Sequence, residues 1–315
     1  MRLYTEAILF VRIAEVDYER SAVMSSNVNW ANPYASREGQ WYRGNLHTHT
    51  SPASACGAIS VEDCIDLYVE HGYDFISISD HLSYTHYQDE RILIIPGVEW
   101  NAINGYHTGV YSLDSKDIEA AIELTDQDEL LTQLADTDAL VILNHPNWQL
   151  RPHYRREELE QRSNYDGIEI YNSVIDNLQG YSISTDKWDY LLARGIKTLG
   201  FASNDSHRAS EVGHASIYVR SKTCSPRDIM SAIKSGNFYA SSGVIIDDIR
   251  MEDGVIEVET ADAQEIQVRV DGGVMPCRVK DRAIRLDTRD MNAAYVRFAV
   301  FGKGSEMAWT QPFFL

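Results

Sequence analysis

Long apolar runs are missing from this chain: none approaches the eighteen or so residues that a membrane span requires, so no bilayer crossing and no membrane partner are expected. Cysteine is scarce. Cys56, Cys64, Cys224 and Cys277 are scattered without a CxxC pair and are too few to staple 315 residues, which points to reduced thiols and a cytoplasmic location. Positive charge is also short, with 28 lysines and arginines against 47 acidic residues and a formal net charge of −19. A surface that acidic repels phosphate backbones and anionic headgroups, so duplex nucleic acid is not an expected partner, and an anionic substrate would need locally concentrated positive charge. Internal repeats and low-complexity tracts are lacking as well. A composition of 44% hydrophobic and 24% charged residues then describes a folded globular protein with a sizeable core. The opening MRLYTEAILFVRIAEV is interrupted by Glu6, Arg12 and Glu15 and no small-residue cleavage site follows, so it reads as a strand and not a signal peptide.

What is present falls into two patterns. From residue 43 to about 240, short apolar runs alternate with helical stretches, as in βα units around a mostly parallel sheet. GNLHTH, DFISISDH, RILIIPGVEW, YHTGVYSL, ALVILNHP, GIEIYN and KTLGFASNDSH each read as a strand ending in polar residues. Ser60 with Asp63 three residues on starts a helix that Gly72 stops, and Ser225, Pro226 and Gly236 punctuate another. Beyond residue 243, IIDDIRM, GVIEVET, EIQVRVDGG, AIRLDTR and AYVRFAVFGK alternate apolar and polar residues, which predicts a small antiparallel β domain. The expected organisation is a strand and connector over 1–41 packed against that β domain, a barrel over 42–242, and the β domain over 243–315.

Six of the ten histidines, one glutamate and one aspartate fall at the ends of successive predicted strands: His47, His49, His81, Glu99, His107, His145, Asp205 and His207. A closed βα barrel brings strand carboxyl ends onto one face, so the sequence describes a single site. In an HxH strand, residues i and i+2 point to the same side, and His47 and His49 can hold one metal between them; the same geometry is expected of Asp205 and His207. Imidazole and carboxylate suit zinc, manganese or iron. Glu99 can bridge two ions, and two ions roughly 3.5–4 Å apart can hold a hydroxide and polarise the oxygen of the bond it attacks. One HxH alone would be weak; the conjunction of eight metal-competent residues at strand ends carries the reading.

The order LHTHT, SDH, PGVEW, HTGVYSL, NHP, GIEIYN and SNDSH resembles the PHP (polymerase and histidinol phosphatase) superfamily of metal-dependent phosphoesterases, over residues 42 to about 240. WDYLLARG, HASIYVR, DIMSAIKSGNFYASSG and the closing AWTQPFFL extend the resemblance to the carbaryl-hydrolase-like branch. It implies an α/β fold, a distorted (β/α)7 PHP barrel with a small C-terminal antiparallel β domain, holding two or three divalent ions. It also implies that His47, His49, Glu99 and Asp205 bind a first metal, Glu99, His107 and His145 a second, and His81 and His207 a third. Glu99, His81, Asp205 and His207 are then the catalytic set. The family's third metal usually also takes an aspartate from the turn after the first HxH, and here that stretch reads SPASACGAIS, without a carboxylate. Cys56 either ligates there as a thiolate, favouring a softer ion such as zinc, or is inert, with His81 and His207 acting as a proton donor and a phosphate contact. Asp80 either orients an imidazole or is a polar strand end. His71 closes a helix, while His86, His153 and His214 read as loop residues.

Arg151 and Arg208 are the candidate substrate contacts; Arg155 and Arg156 have Glu157 and Glu158 beside them as partners on a solvated helix. Trp148 and Tyr171 can either stack on a substrate or pack. The expected activity is hydrolysis of a small phosphorylated metabolite or nucleotide through a metal-bridging hydroxide. The alternatives are a carboxyl or carbamate ester hydrolase using the same site, and, in another class, a metal-loaded binding module. An amidohydrolase barrel also opens with HxH, but it lacks the final D-x-H, and no lysine here takes a bridging role. Neither the substrate nor the oligomeric state is legible in the sequence.

Overall fold

The computed structural model describes residues 31–102, 105–149 and 154–315, so the strand expected at the start of the chain, Arg151 and His153 lie outside it. In chain order the strands are β1 (Gln40–Asn45), β2 (Phe75–Ile76), β3 (Leu93–Ile94), β4 (Gly97–Asn101), β5 (His107–Tyr111), β6 (Leu140–Leu143), β7 (Gly167–Asn172), β8 (Leu199–Ser203), β9 (Ser216–Ser221) and β10 (Phe238–Ser241). They continue with β11 (Ile246–Glu252), β12 (Val255–Thr260), β13 (Glu265–Val270), β14 (Arg278–Val279), β15 (Ala283–Asp287), β16 (Tyr295–Phe301), β17 (Met307–Thr310) and β18 (Phe313–Phe314). The helices are α1 (Val61–Glu70), α2 (Ser115–Ile122), α3 (Gln127–Leu134), α4 (Arg156–Gln161), α5 (Thr185–Ala193) and α6 (Pro226–Lys234).

Local chemistry sets the helix ends. Ser60 Oγ accepts from the Asp63 amide at the start of α1, and Ser225 Oγ accepts from the Asp228 amide at the start of α6. At the other end of α1, His71 turns its ring back so that Nδ1 donates to Leu67 O at 2.8 Å, which satisfies one of the helix's free carbonyls.

The strands form three sheets. Five run in the order β4-β5-β6-β7-β8, three in the order β11-β12-β15, and ten in a sheet ordered β14-β13-β16-β17-β10-β9-β1-β2-β3, with β18 beside β16. The expected mostly parallel sheet is corrected here. β6, β7 and β8 are parallel, as are β1, β2 and β3, but β5 runs antiparallel to both β4 and β6, and β9 antiparallel to β1. The five- and ten-stranded sheets meet at one rim through two isolated bridges, Thr48 with Ser206 and His81 with Glu99. Beneath that rim the Tyr111 ring takes space that side chains at Gly97 and Gly109 would need, since a Cβ at either would lie 2.4 Å from a Tyr111 atom. Two glycines in neighbouring strands therefore admit one large buried ring.

The ten-stranded sheet crosses residue 242 without interruption, because β10 pairs with β9 on one side and β17 on the other. Two buried polar contacts lock the C-terminal strands to the segment before them. Asp189 on α5 accepts from Arg297 Nε and Nη2 at 2.7 and 2.5 Å and from the Tyr295 hydroxyl at 2.8 Å. The Gln311 side chain pairs with both backbone groups of Gly200, accepting from its N–H at 2.9 Å and donating to its C=O at 2.8 Å, so it finishes the edge of β8 as another strand would. The connector before β1 also packs there: Tyr34 is buried, donates to Phe238 O and accepts from the Gln311 amide. No described helix is long and apolar enough to cross a membrane.

Asp189 is the only carboxylate that the buried Arg297 guanidinium contacts among the described residues. Removing one partner of a buried, hydrogen-bonded pair leaves an uncompensated charge, so Asp189→Ala should lower unfolding stability by about 3–5 kcal/mol. Denaturant unfolding checks this; a loss below about 1 kcal/mol would show that the pair does not hold the two regions together.

Candidate metal centre

Alternation along the segment after β1 sends His47 and His49 one way and Thr48 the other. The Thr48 hydroxyl meets the Tyr68 hydroxyl at 3.1 Å and the Ser206 hydroxyl, while the two imidazoles face each other with Nε2 atoms 3.1 Å apart. Glu99 stands in the middle of β4 and is shared by five imidazoles. Its Oε1 lies 3.1 Å from His47 Nε2, 3.1 Å from His107 Nδ1 and 3.3 Å from His145 Nε2, and its Oε2 lies 3.3 Å from His49 Nε2 and 3.1 Å from His81 Nδ1. Asp205 closes the other side, with Oδ1 at 3.1 Å from His47 Nε2, 3.2 Å from His49 Nε2 and 3.8 Å from His207 Nδ1. All eight residues singled out in the sequence therefore converge.

They do not all arrive as expected. His107 is the first residue of β5, not the last of a strand, and reaches the rim because β5 runs opposite to its neighbours. Asp205 and His207 are not an extended i, i+2 pair. β8 ends at Ser203, and Asp205 sits in the left-handed region at φ +52°, while His145 is at φ +31° beyond the end of β6.

The supporting contacts fix the imidazoles. Glu169, which sequence reasoning did not single out, accepts from His47 Nδ1 at 2.7 Å, the Ser203 hydroxyl at 2.5 Å, the His145 amide at 2.7 Å and Asn172 Nδ2 at 2.9 Å. A carboxylate on Nδ1 requires the proton there, so in a neutral His47 the lone pair is on Nε2, facing the other donors. A glutamate inside the apolar strand GIEIYN was the available signal. Asn144 was also missed; its Nδ2 donates to Glu99 Oε1 at 2.8 Å. Asp80 orients no imidazole directly. It is buried and accepts from the Thr50 amide and hydroxyl, the Ser54 hydroxyl and the Thr85 hydroxyl, and Ser54 in turn lies 3.2 Å from His49 Nδ1.

The electrostatics ask for positive charge. Burial opposes ionisation of Glu99, yet the charges of His47 and His107 hold its carboxyl well below the usual range, and Asp205 is held low chiefly by His47 and His49 against the same penalty. Burial likewise pulls the histidines down, but Asp205, Glu99 and Glu169 outweigh it and raise His47 well above its ordinary value, while Asp205 and Glu99 raise His49 to about 9. His81 goes the other way, to about 4, because burial is reinforced by His49 and His107. The pull of Asp205, Glu99 and Glu169 on the protons of His47 and His49 is the pull that a divalent cation between them would meet. Four sets of donors have their ligand atoms mutually within 4.8 Å: His47, Glu99 and His145; His47, His49 and Asp205; His81, Glu99 and His107; and His49, Cys56, His81 and His207. Nitrogen and carboxylate donors facing one another at such distances fit divalent transition metals or zinc.

The donors line an open cavity whose other wall is apolar, made by Trp148, Val174, Ile175 and Leu178. Trp148 stands edge-on to His145 at 5.1 Å between ring centroids. Tyr171 instead stacks on Trp309 and its hydroxyl donates to Asp176, away from the cavity lining. Arg208 is exposed and does not line the cavity. His86 lies against Tyr84 and His214 against Ser210 O, both outside the centre.

No protein-family model and no curated protein matches the sequence. Several solved structures are similar. A two-domain protein from Bacteroides vulgatus containing a predicted PHP-like metal-dependent phosphoesterase is 15% identical, with 93% of this chain and 99% of that one covered and a TM-score of 0.49. Endonuclease Q in complex with a 27-mer duplex substrate, an abasic lesion at its active site, is 14% identical over 62% of this chain and 56% of that one, with a TM-score of 0.50. An amidohydrolase from Chromobacterium violaceum with bound sulfate is 13% identical over 54% and 90%, with a TM-score of 0.39. Structural neighbours of this chain thus include a PHP-like phosphoesterase and endonuclease Q.

Glu169 holds His47 by charge as well as by geometry. Glu169→Gln keeps the shape but removes the charge and leaves the His145 and Asn172 donors facing an amide, so metal affinity should fall about 10–100-fold. Chelator competition measures this, and an unchanged affinity in a folded variant would refute the positioning role.

Proposed function

We propose that the chain is a metal-dependent hydrolase of the PHP type, with the rim of the two sheets serving as one end of a distorted seven-stranded barrel, and that it acts as a phosphoesterase on a small phosphorylated metabolite or nucleotide. The observation that carries this is Glu99, one buried carboxylate shared by five imidazoles, with the His47 and His49 pair held between it and Asp205. On this reading His47, His49, Glu99 and Asp205 hold one divalent ion, zinc, manganese or iron, and Glu99, His107 and His145 a second. Such ions supply Lewis acidity to an ester oxygen and make water acidic enough to be deprotonated near neutral pH.

The chain's own residues do the rest. Asp205 and Glu99 set the charge of the centre, and Glu169 and Asp80 keep the imidazoles aimed. His81, whose proton affinity is low, and His207 stand at the open side of the cavity, where a leaving group or a substrate oxygen would lie. Arg151, three residues after Trp148, and Arg208, exposed directly after His207, are assigned to the charged end of a substrate extending past the donors.

A second reading keeps the centre and changes the bond. The apolar wall of Trp148, Val174, Ile175 and Leu178 favours an ester with a hydrophobic group, and a neutral carboxyl or carbamate ester would need no arginine. Duplex nucleic acid is a substrate of a protein with a similar fold, but the net charge of −19 opposes it here.

Metal analysis of chelator-free protein, followed by kinetics on phosphomonoesters, phosphodiesters, carboxyl esters, carbamates and a lesion-containing duplex, separates these readings. We expect bound metal, turnover of phosphate esters above the others, and a loss of more than about 100-fold in kcat/KM for Asp205→Asn. A protein that binds metal but turns over only carboxyl or carbamate esters would establish the second reading. Unaltered turnover in Asp205→Asn would remove Asp205 from the machinery.

A further inference from the structure

Behind the metal donors, off the cavity lining, four polar side chains converge on one buried phenol. Tyr68 on α1 is wholly enclosed, and its hydroxyl accepts from Asn45 Nδ2 at 2.9 Å and from Asn204 Nδ2 at 3.3 Å. Those two amides fill its acceptor positions. Its own proton therefore goes to the Thr48 hydroxyl at 3.1 Å or the Ser206 hydroxyl at 3.0 Å, and these two also bond each other. Thr48 stands between His47 and His49, and Ser206 between Asp205 and His207. Both donor-bearing segments are thus tied from behind to a single oxygen. Their backbones are paired independently, with His49 N donating to Ser206 O at 2.8 Å and Asp205 N to His47 O at 3.0 Å. The backbone pairing sets how far apart the segments run, while the contact at the phenol sets how each is rolled about its own axis, which aims the flanking side chains.

We propose that Tyr68 is a positioning residue of the metal centre, its hydroxyl holding the Thr48 and Ser206 segments at the roll that brings His47, His49 and Asp205 onto one ion. The inference rests on the metal-centre reading above. These three donors have their ligand atoms mutually within 4.8 Å, so a small rotation of either segment opens the set. Tyr68→Phe keeps the ring in the buried face of α1 and removes only the oxygen. Neither amide is then orphaned, because Asn45 Nδ2 also donates to His47 O at 2.8 Å and Asn204 Nδ2 to the Tyr73 hydroxyl at 3.1 Å. The Thr48 and Ser206 hydroxyls keep each other but lose their oxygen partner on α1.

Cobalt(II) titration of the metal-free full chain against a competing chelator tests this, because affinity and the visible ligand-field bands report the centre without turnover. We expect Tyr68→Phe to bind the ion about tenfold more weakly or worse, with altered bands. Tyr165→Phe is the control, since it deletes another buried tyrosine hydroxyl, one that donates to Leu159 O outside the centre. It should keep the wild-type bands and an affinity within about twofold, whatever it costs in thermal stability. Ser206→Ala removes the same contact from the other side and should weaken binding comparably, with the double variant losing little more than the larger single loss. Wild-type affinity and bands in a folded Tyr68→Phe, an equal loss in Tyr165→Phe, or additive losses in the double variant would overturn the positioning role and leave the metal centre standing. Should Tyr68→Phe fail to fold, Ser206→Ala decides alone, and unchanged affinity there overturns the proposal. Wild-type protein that binds no cobalt would overturn both this inference and the reading beneath it.

Discussion

Buried negative charge is the constraint around which the rest of this molecule is arranged. Glu99, Glu169, Asp80 and Asp205 are all almost fully enclosed, and an isolated carboxylate there would be prohibitively costly unless every oxygen were met by donors or cations. The chain meets them in three ways: imidazoles around Glu99 and Asp205, hydroxyls around Asp80, and backbone amides at Thr50 and His145. Serving them strains the backbone. Of the five described non-glycine residues with positive φ, Leu82 follows His81, and His145 and Asp205 are donors themselves. Each such conformation costs on the order of 1–3 kcal/mol and persists only where the surroundings over-determine it, as four contacts to Glu169 and the pairing of Asp205 N with His47 O do here.

The same constraint explains the reversal of β5. A parallel strand would bring its carboxyl end to the rim and its first residue to the far side. Because β5 is antiparallel, His107 at its start joins the site while Tyr111 at its end fills the opposite interior. The C-terminal strands serve the centre at second hand, since Gln311 finishes the edge of β8, whose following turn carries Asp205, and Asp189 ties α5 to β16.

Much of this was legible in the sequence, and the parts that were not have identifiable causes. Most of the converging residues could be read because they stand where an apolar run ends, Glu99 in the middle of β4 and His107 at the start of β5 excepted, and the cap of α1 could be read because Ser60 and Asp63 carry their own local chemistry. Strand direction is not local. The five residues between β4 and β5 are too few for a parallel crossover, a signal that the βα reading passed over, whereas β5 and β6 are joined through two helices and are antiparallel all the same. Glu169 was hidden because alternation within a fully buried strand carries no contrast. Arg208 follows a donor in sequence but is exposed outside the cavity lining, where the short turn Ala209–Glu211 begins, with Glu211 accepting from the His207 and Arg208 amides.

A net charge of −19 and an anionic substrate are compatible once range is considered. Exposed charges act through a medium that screens them over about 8 Å at physiological salt, whereas contacts within the enclosed centre are screened far less. Glu99 and Asp205 are the carboxylates that line the cavity, and two divalent ions held there would outweigh that pair locally, while Glu169 and Asp80 are buried off the cavity lining. The cavity opposite is apolar, so its field is not dissipated by neighbouring dipoles and is felt most strongly by a group lying against Trp148 and Ile175. The acidic surface then slows the approach of an anion, while the interior determines whether it stays.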